Sequence, residues 1–358
     1  MIPIPGAEWQ YAWMEGRLMI GKIFPKLVGI ALAVSAAQAF PQTPAQTAAK
    51  PAAEPIEPPE WLFPIDIETL RAAEQKDAPK LDDVELLTVP DSKEQFTRAR
   101  INDKFNPPDW RPASHTPMPD IVAKGRKPNV WACGYCHTPS GQGRPENSAL
   151  AGLPENYIRQ QLIDFRSGAR KPYGPEKYAP SRDMHKLAKF LTDAEIDESA
   201  KYFSQQKLKR RVYVIESLRI PRAEPAFWIY KEWGGTEDLG DRLLEVAQDL
   251  ERHERRDDRL EYMAYVPPGA ISRGKKLAVQ AEGKKTQVCS TCHGTNLKGM
   301  NDVPAIAGRQ PSYLLRQMLA FKAGVRTNSE AAQMTPVVEN LDLNEMIDVV
   351  AYVSSLYP

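Results

Sequence analysis

Cysteine is scarce in this chain: 358 residues hold four, and all four lie in two copies of one motif, Cys133-Gly134-Tyr135-Cys136-His137 and Cys289-Ser290-Thr291-Cys292-His293. Four in so long a chain cannot make the disulfide framework of a small secreted scaffold, and a single bridge within either pair is the alternative left open. Long hydrophobic runs are also missing. Leu27 to Ala36 is uncharged but far short of the roughly 20 apolar residues that span a bilayer, so no membrane-crossing anchor is expected. Charge of one sign is missing too: the net charge is +1, and no basic stripe runs along the chain. Nucleic-acid binding is thereby excluded. Histidine numbers only five, and two of those close the cysteine motifs.

Cys-x-x-Cys-His reads as a c-type haem attachment site. Residues three apart on a helical turn share a face, so both thiols can add to the vinyl groups of one porphyrin edge while the adjacent histidine reaches the iron. Zinc is the competing reading for paired cysteines. Two pairs about 150 residues apart, each ending in histidine, suit one tetrahedral site poorly. Cys133, Cys136, Cys289 and Cys292 are therefore expected to carry two covalent haem c groups, with His137 and His293 as proximal iron ligands.

The two motifs sit in a duplication. Tyr157, Gln161, Phe165, Gly168 and Arg170 recur without a gap as Tyr313, Gln317, Phe321, Gly324 and Arg326. Pro154 and Pro311 sit where a helix should begin and Gly168 and Gly324 where it should stop; Tyr157, Ile158, Leu162 and Phe165 form an apolar stripe between. Further on, Thr192-x-x-Glu195 and Asp342-x-x-Glu345 open a last helix in each copy, bearing Tyr202 or Tyr352. Each copy also offers a methionine between these helices, Met184 and Met334. A neutral, soft thioether opposite the imidazole favours ferrous iron and suits an electron carrier, so these two are the expected axial ligands. His185 is the alternative beside Met184. The other methionines, among them Met318 and Met346, read as core fillers, and His115 and His253 as ordinary surface or core histidines.

In these features the chain resembles the tandem diheme class I cytochromes c of the cytochrome c-four type. The likeness covers about 110 to 208 and 268 to 358. It implies an all-α fold, two class I cytochrome c domains in tandem, each wrapping one haem. The resemblance also implies a proline whose carbonyl orients the proximal histidine. Pro304 fills that place in the second copy, whereas the first has Ser148 and departs from the pattern. A diheme thiosulfate dehydrogenase would require, by its own family likeness, a further cysteine as axial ligand, and none remains. A diheme peroxidase would need an iron with an open sixth position, which two methionines disfavour.

The expected layout is a signal peptide at 1–39, with translation starting at Met19; an acidic, Pro-rich extension at 40–97; a first haem domain at 98–208; an interdomain arm at 209–267; and a second haem domain at 268–358. Residues 40–97 carry 12 acids against 5 bases, and 98–208 carry 18 bases against 12 acids. Within the arm, Val212 to Ile215 and Phe227 to Tyr230 read as extended, Leu239 to Leu250 as weakly helical, and the mixed charges of Arg252 to Arg259 as a solvated face. Trp110, in a proline-rich loop, is expected to pack into the first domain. The function implied is a periplasmic electron carrier between redox proteins, a dehydrogenase as donor and a terminal oxidase or reductase as acceptor, with no catalytic residue of its own. The alternative is a cytochrome subunit of a periplasmic dehydrogenase.

Overall fold

The computed structural model describes residues 57–67 and 84–358; the expected signal peptide at 1–39, the expected start at Met19 and most of the expected Pro-rich extension lie outside them. In the first half, helix α1 (Cys133–His137) carries the cysteine motif, followed by α2 (Glu155–Ser167), α3 (Ala179–Ala188) and α4 (Asp193–Ser204). Pro154 caps α2, and Gly168 ends it with a left-handed φ of 84°, a conformation that a Cβ would disfavour. Thr192 and Glu195 close a reciprocal capping box on α4. Ile158, Phe165, Ile196, Ala200 and Phe203 bury the facing sides of α2 and α4 in one core.

The middle of the chain is a five-stranded sheet, so the expectation of an all-α protein applies to the haem halves alone. Strands β1 (Val212–Glu216), β2 (Arg219–Ala226), β3 (Ile229–Asp238), β4 (Leu244–Ala247) and β5 (Tyr262–Val266) lie in the order β1-β5-β4-β3-β2. β1 runs parallel to β5 and β3 to β4; the other neighbours are antiparallel. The weak helical spacing at Leu239 to Leu250 gives way to β4, all four of whose residues are buried between two neighbouring strands. Strand pairing here overrides local propensity. Phe227 and Trp228 form the turn between β2 and β3 and are not themselves strand.

The segment Arg252 to Arg259 corrects a second expectation, because it is not a solvated face. His253, Arg256, Asp257 and Asp258 are buried. Arg111 pairs with both Asp257 and Asp258, Arg252 pairs with Asp257, and Ser140 donates to Asp258 at 2.7 Å. Arg256 stacks on Tyr135 at 3.6 Å and donates to the carbonyls of Ile101 and Tyr135. Trp110 is buried and donates to the Arg255 carbonyl at 2.7 Å. The arm thus covers the loop after the first cysteine motif: residues 137–147 are buried throughout, whereas Thr295, Asn296, Lys298 and Met300 in the second loop are exposed.

In the second half, α5 (Ala270–Gln280) crosses α8 (Leu343–Ser355), while α6 (Ser290–His293) and α7 (Pro311–Lys322) repeat α1 and α2. Gly274 lies at the crossing and Arg273 grips Asp348 with two bonds of 2.7 Å. The same core takes in Leu62 and Phe63 from the N-terminal segment, and Val266 from the sheet.

Glu245 of β4 is buried against α7. Its Oε2 accepts from the backbone N–H and hydroxyl of Ser312, and its Oε1 has no partner among the described residues. Burial pushes this carboxyl up to about 7, with the Ser312 bonds opposing. The folded state therefore holds a proton that the unfolded chain releases near pH 4.5, so this group's contribution is greatest in acid and declines as pH rises towards 7. Glu245→Gln is expected to stabilise the protein at pH 8 by up to about 3 kcal/mol and to flatten this decline, as read from urea unfolding at pH 5 and 8.

Candidate haem sites

Each cysteine motif opens on a helical turn and ends on a buried histidine whose orientation is set from behind. His137 Nδ1 lies 2.8 Å from the carbonyl of Ser148, and His293 Nδ1 lies 2.8 Å from the carbonyl of Pro304. A carbonyl only accepts, so Nδ1 carries the proton in both rings and Nε2 is left with its lone pair, the state a metal requires. Burial reinforces it, lowering His137 to about 4 and His293 below its ordinary value. Ser148 departs from proline without losing the contact, because the acceptor belongs to the main chain.

Cys133, Cys136 and His137 line one cavity with Met184 and an apolar wall that includes Leu153, Ile158, Leu162, Phe165 and Phe203. Met184 faces this space and the neighbouring His185 does not line it. In the second half, Cys289 and Met334 pack against one core with Leu297, Ala331 and Val338, and His293 is buried.

Between the halves lies a crossed network. Arg170 donates to Gln161 Oε1 at 2.8 Å in its own half, and across the junction to Gln317 Oε1 at 2.8 Å and the Tyr313 hydroxyl at 3.2 Å. Arg326 mirrors it, donating to Gln317 at 3.2 Å and across to Gln161 at 2.6 Å. Main-chain bonds Lys171 N–H to Val325 O and Thr327 N–H to Ala169 O, each 2.8 Å, zip the same seam. Both guanidiniums are buried, both line the cavity of His137, and Arg326 Nε has no partner among the described residues. Burial and the facing Arg170 lower Arg326. Two adjacent buried cations bonded to neutral oxygens call for anions, and a haem brings two carboxylates. The donor set thus fits haem c.

These crossing residues are the ones that repeat between the halves, so the signal was present in the sequence. It was legible as a register of duplication; that the repeated side chains face each other across a junction was not.

Paired thiols on a helical turn, each followed by a buried imidazole held by a main-chain carbonyl, define a covalent haem protein. A family model described as cytochrome c matches residues 271–357. Cytochrome c-552 of Acidithiobacillus ferridurans is 31% identical over 236 residues, covering 63% of this chain and 73% of that one. Cytochrome c4 of Azotobacter vinelandii is 24% identical over 230 residues, covering 63% and 84%. The thiosulfate dehydrogenase electron acceptor of Thiomonas intermedia (strain K12) is 26% identical over 215 residues, covering 59% and 71%. The chain belongs to the cytochromes c, of the c4 type: it binds haem c covalently and works in electron transfer. Among the described residues, no helix is long and apolar enough to cross a membrane.

Proposed function

We propose that the protein is a periplasmic carrier holding two haems, each bound by two thioethers and ligated by one histidine and one methionine. The observation that carries this is the repetition of one donor set: Cys133, Cys136, His137 and Met184 about one cavity, and in the second half Cys289 and Met334 against one core, with the buried His293 and the exposed Cys292 completing the motif. When bound, haem c supplies a one-electron couple. The chain's residues hold it rigidly: Ser148 and Pro304 fix the imidazoles, Met184 and Met334 complete the iron coordination, and Arg170 and Arg326 hold the propionates at the seam. Covalent attachment needs reduced thiols and free haem outside the cytoplasm, which supports export through the leader at 1–39.

The two haem edges differ in access. Arg256 and Tyr135 cap the first motif, while Thr291 and Cys292 of the second are exposed, and the exposed Lys284 and Lys298 lie within eight residues of them in sequence. The second edge is therefore the port at which an acidic redox protein docks. Two relatives carry the name thiosulfate dehydrogenase electron acceptor, which favours a second reading, a cytochrome paired with a periplasmic dehydrogenase as donor.

A pyridine haemochrome assay of protein matured in a periplasm tests the proposal. Two haems per chain are expected, falling to one in Cys133→Ser/Cys136→Ser and to one in Cys289→Ser/Cys292→Ser. A count of one in the unaltered protein overturns it.

A further inference from the structure

A half-buried histidine outside both haem motifs is tied to the first one through a chain of rings. His115 has a side chain only 4% exposed. Its Nδ1 lies 2.9 Å from the Thr116 carbonyl and 3.1 Å from the Tyr202 hydroxyl, and its Nε2 lies 3.2 Å from Asp109 Oδ1. The Tyr202 hydroxyl spends its proton on the Pro139 carbonyl at 2.8 Å, so it too presents an acceptor to Nδ1. Both ring nitrogens therefore face acceptors, and only the imidazolium satisfies both at once. From His115 the contacts run inward: its ring meets Tyr202 at 6.3 Å, Tyr202 meets Phe203 at 5.2 Å, and Phe203 meets His137 at 6.4 Å, each edge to face.

We infer that His115 is a redox-linked proton site: it takes a proton from water when the first haem centre accepts an electron from its donor, and returns it on reoxidation. This rests on the haem assignment proposed above. The balance is one electron from the donor and one proton from solvent, with no covalent bond made or broken in the protein. Adding an electron lowers the charge near His137, which favours the imidazolium.

The groups facing the ring set its range. Burial pulls His115 down, but the bond to Asp109, the Thr116 carbonyl and the charges of Asp109 and Asp258 outweigh it, so it protonates above the ordinary 6.5. Asp109 comes from the same loop, Tyr202 from α4, and Asp258 from the covering arm, where Arg111 and Lys209 act on it in turn. The second half has no equivalent. Tyr352 matches Tyr202, but 268–358 contain no histidine except His293. One haem should thus be proton-coupled and the other not, which supplies an internal control.

Unit charges two or three side chains apart, at the effective dielectric of a protein, are coupled enough for about a fivefold effect on an equilibrium. Spectroelectrochemical titration of the diheme protein from pH 5 to 9 is therefore expected to show one haem whose reduction constant falls about fivefold across the titration of His115, beyond any change in the other. In His115→Gln this difference disappears. In Asp109→Asn, which keeps the ring and removes its carboxylate, the midpoint moves to lower pH. The NMR titration midpoint of His115 should lie higher in reduced than in oxidised protein. Equal pH dependence of both haems in the unaltered protein, or a difference that survives His115→Gln, overturns the inference; the haemochrome count, made on the same samples, separates that failure from failure of the haem assignment. Should His115→Gln not mature, Asp109→Asn and the NMR shift decide alone.

Discussion

Gly274→Ala is expected to cost about 3 kcal/mol or more and to unseat the second half of the protein. A Cβ on Gly274 would lie 1.8 Å from the Asp348 carbonyl oxygen, 2.4 Å from its carbon and 3.0 Å from Val349 N. All three are backbone atoms of α8, so no rotamer change relieves the clash, and the helices must part. Parting them opens the core on which the site depends: Met346, Ile347, Val350 and Ala351 of α8 are at most 1% exposed and belong to the cluster against which Cys289 and Met334 pack. Urea unfolding should show the loss, and the haemochrome count should fall towards one as the second motif matures poorly. Ser272→Ala, two residues away on the exposed side of α5, should remain within about 0.5 kcal/mol of the parent. An undisturbed Gly274→Ala protein would show that the α5 and α8 backbones do not meet.

On the proposed ligation, Met184→Ala should leave the first iron with His137 as its one protein ligand, and Met334→Ala the second with His293. In each variant half of the total haem is expected to bind carbon monoxide, where the parent binds none. The potential of that haem alone should fall, because a neutral thioether that favours the reduced metal has been replaced by water. The near-infrared thioether-to-iron band should lose half its intensity in either variant and vanish in the double variant. Met184→Ala also removes a side chain from an apolar wall, so a loss of about 2 kcal/mol in stability is expected beside the spectroscopic change. His185→Ala supplies the contrast: since His185 does not line the cavity, the band should keep its full intensity.

Local signals in the sequence carried far in the haem halves and little in the middle. Pro154 and Gly168, or the Thr192 and Glu195 pair, act on backbone groups within one turn of themselves, and the helices they announce appear at those residues. β4 is different. Its four residues are strand because β3 and β5 flank it, partners that lie in sequence on either side of two further turns. The charges of Arg252 to Arg259 misled for a related reason. Mixed charge looks solvated unless its partners are known, and Arg111 and Ser140 lie more than 110 residues upstream. At the haem sites, residue type announced the chemistry, but the crossing of Arg170 and Arg326 depends on how two copies meet, which no single copy encodes.

No codon specifies a main-chain carbonyl. The acceptor behind His137 stands at residue 148 and the one behind His293 at residue 304, eleven positions downstream in each case, and one belongs to serine and the other to proline. Point mutation at either place changes the side chain and leaves the oxygen where the loop puts it. The bond is inherited with the length and path of the loop, so an insertion or deletion between histidine and carbonyl would break what single-base exchanges at 148 or 304 leave standing.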